Sequence, residues 1–134
     1  MNGFVVWFTG LPAAGKTTIS TLAAGELEQY GVVVEHLDGD IVRTHLSRGL
    51  GFSKEDRDVN VERVAWVASR VARAGAVVLV SMVSPYADSR RRARELVEEY
   101  AAFVEVHVAT PLEQCVARDP KGLYARALAR LRVS

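Results

Sequence analysis

The chain has 134 residues, with 17 basic against 16 acidic side chains, a formal net charge of +1 and an apolar content of 49%. That size suits one domain with one sizeable core, so a single domain over 1–134 is expected, and the near-neutral balance gives no reason to expect a nucleic acid or an anionic membrane as partner. No apolar run is long enough to span a bilayer and no basic-then-apolar leader opens the chain; the one cysteine, Cys115, cannot close an intramolecular disulfide, which fits a reducing cytoplasm.

In chain order, the apolar run Gly3–Gly10 is too short for a helix and is bounded by glycine, so it predicts a buried strand. A helix follows from Gly15 to about Tyr30, closed by Gly31. Val32–Leu37 predicts a second strand, ending in Asp38-Gly39-Asp40, and a short helix is expected over about Ile41–Arg48. Ser53, with Asp56 three residues later, has capping-box spacing and opens a helix to about Ala74. Its apolar stripe is Val61, Val64, Ala65, Ala68, Val71 and Ala72, the i, i+3, i+4 pattern of a core face. "AVVLVSMV" (Ala76–Val83) predicts a third strand, Asp88–Tyr100 a third long helix, and Ala102–Thr110 a fourth strand before a short helical turn and the segment from Arg118. Strands alternating with helices predict an α/β fold, a parallel sheet flanked by helices on both faces.

Gly10-Leu11-Pro12-Ala13-Ala14-Gly15-Lys16-Thr17 fits G-x-x-x-x-G-K-[ST], directly after a predicted strand and before a predicted helix, the context this phosphate loop requires. Backbone N–H groups at the positive end of a helix cradle phosphate. Lys16 reaches the β- and γ-phosphates, and Thr17 offers a hydroxyl to magnesium, so the run through Thr18 is the expected site for ATP or GTP. No guanine-reading Asn-Lys-x-Asp occurs, which argues against a GTPase switch. An NTPase with such a loop usually ends a later strand in a magnesium-holding aspartate. Here that stretch reads Ser81-Met82-Val83-Ser84.

Ligands of an open α/β sheet lie beyond the carboxyl ends of its strands, so Asp38 and Asp40 are expected beside the phosphate loop, serving magnesium and an acceptor hydroxyl. The plainer reading, that Asp40 caps a helix at Ile41, leaves Asp38 unexplained. The core stripe of the Ser53 helix, extended toward its start, lands on Arg57 and Asn60. Arg43 and Arg57 carry guanidinium forks that match sulfate, phosphate or carboxylate oxygens. Arg118, Lys121, Arg126 and Arg130 surround a Pro-Lys-Gly turn suited to close over phosphates, though a plain charged helix explains them nearly as well. The Arg90–Arg94 cluster is expected to be mostly a solvated face. His36, His45 and His107 have no ligand spacing, and Cys115 is expected in the core. Lysine occurs only at Lys16, Lys54 and Lys121, so two of them call for a positional explanation.

"GLPAAGKTT", "LDGDIVR", "LGFSKEDRDVN", "SMVSPY" and "RDPKGLYARA" follow one another as in adenylyl-sulfate (APS) kinases, and the chain resembles that family from about Gly3 to Arg130. The runs Leu50–Asn60 and Arg118–Ala125 are more specific than the phosphate loop. The resemblance implies a P-loop NTPase fold and transfer of the ATP γ-phosphate to the 3′-hydroxyl of APS, giving 3′-phosphoadenylyl sulfate and ADP in sulfate assimilation, with Mg2+ as cofactor. It implies that Lys16, Asp38, Asp40 and Ser84 are catalytic and that Thr17 and Asp40 serve the metal. Gly10–Thr18 and Arg118 would bind nucleotide. Asp38, Arg43, Phe52, Arg57, Asn60, Val83, Ser84, Lys121 and Leu123 would bind substrate, Phe52 by stacking on adenine.

Ser84 corresponds to a serine described in that family as a phosphoserine intermediate. No histidine is placed to activate it, so a positioning role by hydrogen bonding is expected. Pro12 and Ala13 stand where the family usually has Ser and Gly, leaving the loop intact but stiffer. The family continues past the position of Ser134 through a Phe-Thr-Gly segment whose Phe is the second face of the adenine clamp. For this C-terminally shortened chain, ordinary ATP affinity and weak APS affinity are expected. A homodimer is suggested by the resemblance. The alternatives are a related small-molecule kinase with another hydroxyl acceptor and a non-catalytic nucleotide-binding module.

Overall fold

A computed structural model describes residues 2–118; the side chains of Asp40, Leu112 and Val116 lie outside that description. The apolar runs form β1 (Phe4–Thr9), β2 (Val34–Asp38), β3 (Val77–Ser81) and β4 (Ala102–His107). Between them lie α1 (Lys16–Gln29), α2 (Gly39–His45), α3 (Lys54–Arg73) and α4 (Ala87–Glu98), with α5 (Leu112–Arg118) after β4. The strands make one four-stranded sheet in the order β2-β3-β1-β4, every pairing parallel, because each connection is a helical crossover.

Alternate residues of each strand feed two cores. Val5, Trp7, Val78, Val80 and Phe103 pack with the apolar stripes of α3 and α4. Phe8, Val77 and Leu79 pack with Ala24 of α1 and with Cys115 of α5, which is fully buried as expected. Both faces of β3 are therefore covered, and all of its residues are buried. Among the described residues no helix is long and apolar enough to cross a membrane.

One expected boundary is corrected. Helix α2 starts at Gly39, two residues before the expected boundary, because β2 runs directly into it. The backbone of Asp40 thus lies inside the first turn of the helix, and Asp38 immediately precedes it. The Arg90–Arg94 run is mostly solvated as expected, with Arg91, Arg92 and Arg94 exposed, while two of its arginines also reach the sheet. Arg90 donates to the Ser84 carbonyl at 2.8 Å and pairs with Glu105 at 3.4 Å. Arg94 donates to the Phe103 carbonyl at 3.2 Å and lies over the Phe103 ring. Their i, i+4 spacing on a helix that buries Ser89, Ala93 and Val97 brings both toward the sheet.

Ser53 caps α3 as its spacing predicts, accepting from the Asp56 N–H at 3.1 Å. The reciprocal bond differs: the Asp56 carboxylate accepts from Gly51 N–H at 2.8 Å and so holds the incoming loop. Ser53→Ala should lower stability by about 1 kcal/mol, read as a lower urea midpoint with an unchanged slope. An unchanged midpoint would mean the Asp56–Gly51 bond alone holds this turn.

Candidate active site

Beyond the carboxyl end of β1, the chain turns through Gly10–Gly15 into α1. Gly15 occupies the N-cap position at φ 101°, and no side chain caps the first turn. The leading N–H groups of α1 therefore form an anion-favouring end. The Leu11 carbonyl accepts from Ala14 N–H at 3.1 Å, closing the turn. Lys16 reaches back across the loop, its ammonium donating to the carbonyls of Gly10 at 2.8 Å and Leu11 at 2.7 Å. Thr17 and Thr18 are exposed on the first turn. Arg118 crosses from α5 to donate to the Ala13 carbonyl at 3.3 Å. Ala13 itself sits at φ 63°, left-handed backbone that disfavours any residue with a Cβ.

The sheet register places Asp38 opposite Ser81, and Ser81 opposite Phe8. The carboxylate at the end of β2 thus stands one strand from β3 and two from the strand that feeds the loop. The Thr17 hydroxyl donates to Asp38 Oδ2 at 3.5 Å, so a hydroxyl and a carboxylate, both hard oxygen donors, meet at the mouth of the loop. The backbone of Asp40 follows two residues later, in the first turn of α2.

The serines at and just after the end of β3 bond to neighbouring elements. Ser81 donates to Ser20 Oγ at 3.3 Å, and Ser20 donates to the Thr17 carbonyl at 3.0 Å, which ties the strand to α1. Ser84 is buried at φ 39°. Its hydroxyl donates to the Met82 carbonyl at 3.1 Å and accepts from the Trp7 indole N–H at 3.0 Å. The Thr9 hydroxyl donates to the Val83 carbonyl at 2.8 Å, so β1 holds the turn that follows β3.

Several residues expected on the substrate side also come together. The guanidinium carbons of Arg43 on α2 and Arg57 on α3 stand 5.8 and 5.7 Å from the centre of the Phe52 ring. Arg57 Nε is fixed by donating to the Phe52 carbonyl at 3.0 Å, yet Phe52 remains 70% exposed. Asn60 accepts from the Ser47 hydroxyl at 2.6 Å, fastening α3 to the end of the α2 region. Lys121 and Leu123 lie outside the described residues.

A clip between α3 and α4 sets the angle of this wall. Lys54 donates to Asp88 at 2.8 Å and to Asp58 at 2.9 Å, and its ammonium lies over the Tyr86 ring. These bonds, first that to Asp88, raise the Lys54 pKa above the usual lysine range. Asp58 is lowered, first by the hydrogen bond donated by Ser89 and then by Lys54; Asp88 is lowered by Lys54. Two of the lysines thus have places, Lys16 at the loop and Lys54 at the clip. Sequence reasoning missed the clip, and it missed Trp7 as the partner of Ser84. An indole in a buried strand needs a partner for its N–H, a signal that was present.

A family model described as adenylylsulphate kinase matches residues 2–132. The chain belongs to the adenylyl-sulfate kinase family. It is 53% identical over 128 residues to the adenylyl-sulfate kinase of a Picosynechococcus species, covering 96% of this chain and 71% of that one. Among solved structures, the Mycobacterium tuberculosis APS kinase in complex with AMPPNP and APS superposes with a TM-score of 0.92 at 43% identity, covering 96% of this chain and 75% of that one. A hexameric APS kinase from Thiobacillus denitrificans is similar at 47% identity and a TM-score of 0.75, covering 81% of this chain and 22% of that one. The family places a P-loop kinase fold on this chain and an enzyme activity in sulfate assimilation. Another acceptor and a non-catalytic module are not favoured by these likenesses.

Ala13 carries a prediction of its own. Left-handed backbone costs a residue with a Cβ about 1–2 kcal/mol, partly offset by the roughly 0.4–1 kcal/mol by which alanine restricts the unfolded chain relative to glycine. Ala13→Gly should raise the thermal midpoint, and a clear drop would show that the methyl group contributes packing that outweighs its strain.

Proposed function

We propose that this chain transfers the γ-phosphoryl group of ATP to the 3′-hydroxyl of adenylyl sulfate through the residues gathered beyond the carboxyl ends of β1 and β2 and around Phe52. The observation that carries this acceptor is the convergence of Arg43 and Arg57 on the exposed ring of Phe52. An aromatic face between two guanidinium groups suits a planar base joined to an anion, and adenylyl sulfate has both.

In this reading the loop N–H groups and Lys16 hold the ATP phosphates, with Arg118 leaning over the nucleotide. Thr17 and Asp40, with Asp38 beside them, offer the oxygen donors magnesium prefers. When bound with ATP, that ion supplies charge neutralisation on the phosphates. Phe52 stacks on the acceptor adenine, while Arg43, Arg57 and Asn60 hold its anion and ribose. As the acceptor oxygen bonds to the γ-phosphorus, the bond to the ADP oxygen breaks and a carboxylate at the end of β2 takes the hydroxyl proton. Ser84 and Val83 set the turn that faces the acceptor, and Lys121 and Leu123 belong to the segment near both nucleotides. Association of copies as a homodimer belongs to the same proposal; the hexameric relative supports self-association in general.

A coupled assay of ADP release tests the reading: release should depend on added adenylyl sulfate. Release independent of it would contradict the acceptor, and no release would contradict the activity. Because phosphoryl transfer rests on charge placement, Lys16→Ala and Asp40→Asn should each reduce turnover by about a hundredfold or more with the fold intact by circular dichroism. Near-normal turnover in either would remove that residue from the mechanism.

A further inference from the structure

The phosphate loop is backed by the β4–α5 connection, which the roles above leave unused apart from Arg118. The Thr110 hydroxyl donates to the Ala14 carbonyl at 2.6 Å, across 96 residues of sequence. The same connection touches the loop at Gly10, where a Cβ would stand 2.7 Å from the Val108 carbonyl oxygen. Val108 N–H in turn donates to the Thr9 carbonyl at 2.8 Å. Thr110 is itself held from below: its carbonyl accepts from the thiol of fully buried Cys115 at 3.7 Å, and Cys115 N–H donates to the Pro111 carbonyl at 3.2 Å.

We propose that Thr110 is a positioning residue for nucleotide binding, acting through the Ala14–Gly15 peptide. A trans peptide is planar, with its C=O and the following N–H pointing in opposite directions. Drawing the Ala14 carbonyl toward the β4–α5 connection therefore aims Gly15 N–H away from that connection. Gly15, left-handed at φ 101°, has little intrinsic preference to hold that direction. Thr110 supplies the constraint. The inference rests on the loop being the nucleotide site.

The test compares ATP binding by titration calorimetry in the full chain and its Thr110→Val, Thr110→Ser and Lys16→Ala variants. Loss of one such hydrogen bond should weaken ATP binding about three- to tenfold in Thr110→Val. Thr110→Ser, which keeps the hydroxyl, should recover most of that affinity. In turnover the loss should fall on KM for ATP with kcat unchanged, the signature of binding shared by ground and transition states. If Thr110→Val does not fold, Thr110→Ala takes its place against Thr110→Ser. Unchanged affinity without the hydroxyl, or an equal loss in Thr110→Ser, overturns the assignment while leaving the nucleotide site standing, provided Lys16→Ala still abolishes binding. Intact binding in Lys16→Ala overturns the nucleotide site and the Thr110 assignment with it.

Discussion

The parallel register of β2, β3 and β1 is the constraint on which the site depends. It sets Asp38, Ser81 and Phe8 in one row across the sheet, so that a carboxylate from one strand and the loop from another open on the same edge. Neither strand makes a site alone. Each is held by helical crossovers whose apolar stripes bury the two faces of the sheet, and β3, buried on both faces, fixes the spacing between them.

This arrangement accounts for the serines where many phosphate-loop enzymes carry an acid. In the proposed mechanism the acids are Asp38, which ends β2, and Asp40, which follows in α2, and the end of β3 is left for structural work. Ser81 braces α1 through Ser20, and Ser84 buckles the turn after β3 to Trp7 on β1. A phosphoryl group placed on the Ser84 hydroxyl would have to displace its bonds to Met82 and Trp7 inside a buried setting. Leaving such partners unsatisfied costs free energy. Direct transfer avoids that rearrangement.

The fold was largely legible in the sequence because its signals are local: apolar runs of strand length, the Ser53 cap and the glycine-lysine loop. The stripe of α3, extended from Val61 back to Arg57 and Asn60, also led to residues that meet Phe52 and Ser47, since helical periodicity carries orientation along one element. What was missed depends on partners distant in sequence. Nothing near Thr110 indicates Ala14, and nothing near Lys54 indicates Asp88. The Arg90–Arg94 run is mostly exposed, as its charge suggests, but composition alone does not show that Arg90 and Arg94 also meet Glu105 and Phe103. The start of α2 was misplaced by two residues because Gly39 suggested a break where the strand in fact runs into the helix.

The central claim is that the γ-phosphoryl group passes directly from ATP to its acceptor, with Asp38 and Asp40 as the acids and Ser81 and Ser84 as scaffold. The most direct measurement is the stereochemical course with ATP made chiral at the γ-phosphorus. A single in-line transfer predicts inversion of configuration in the product. Retention would contradict the account, requiring a covalent phosphoryl intermediate on the protein, with Ser84 the first residue to examine.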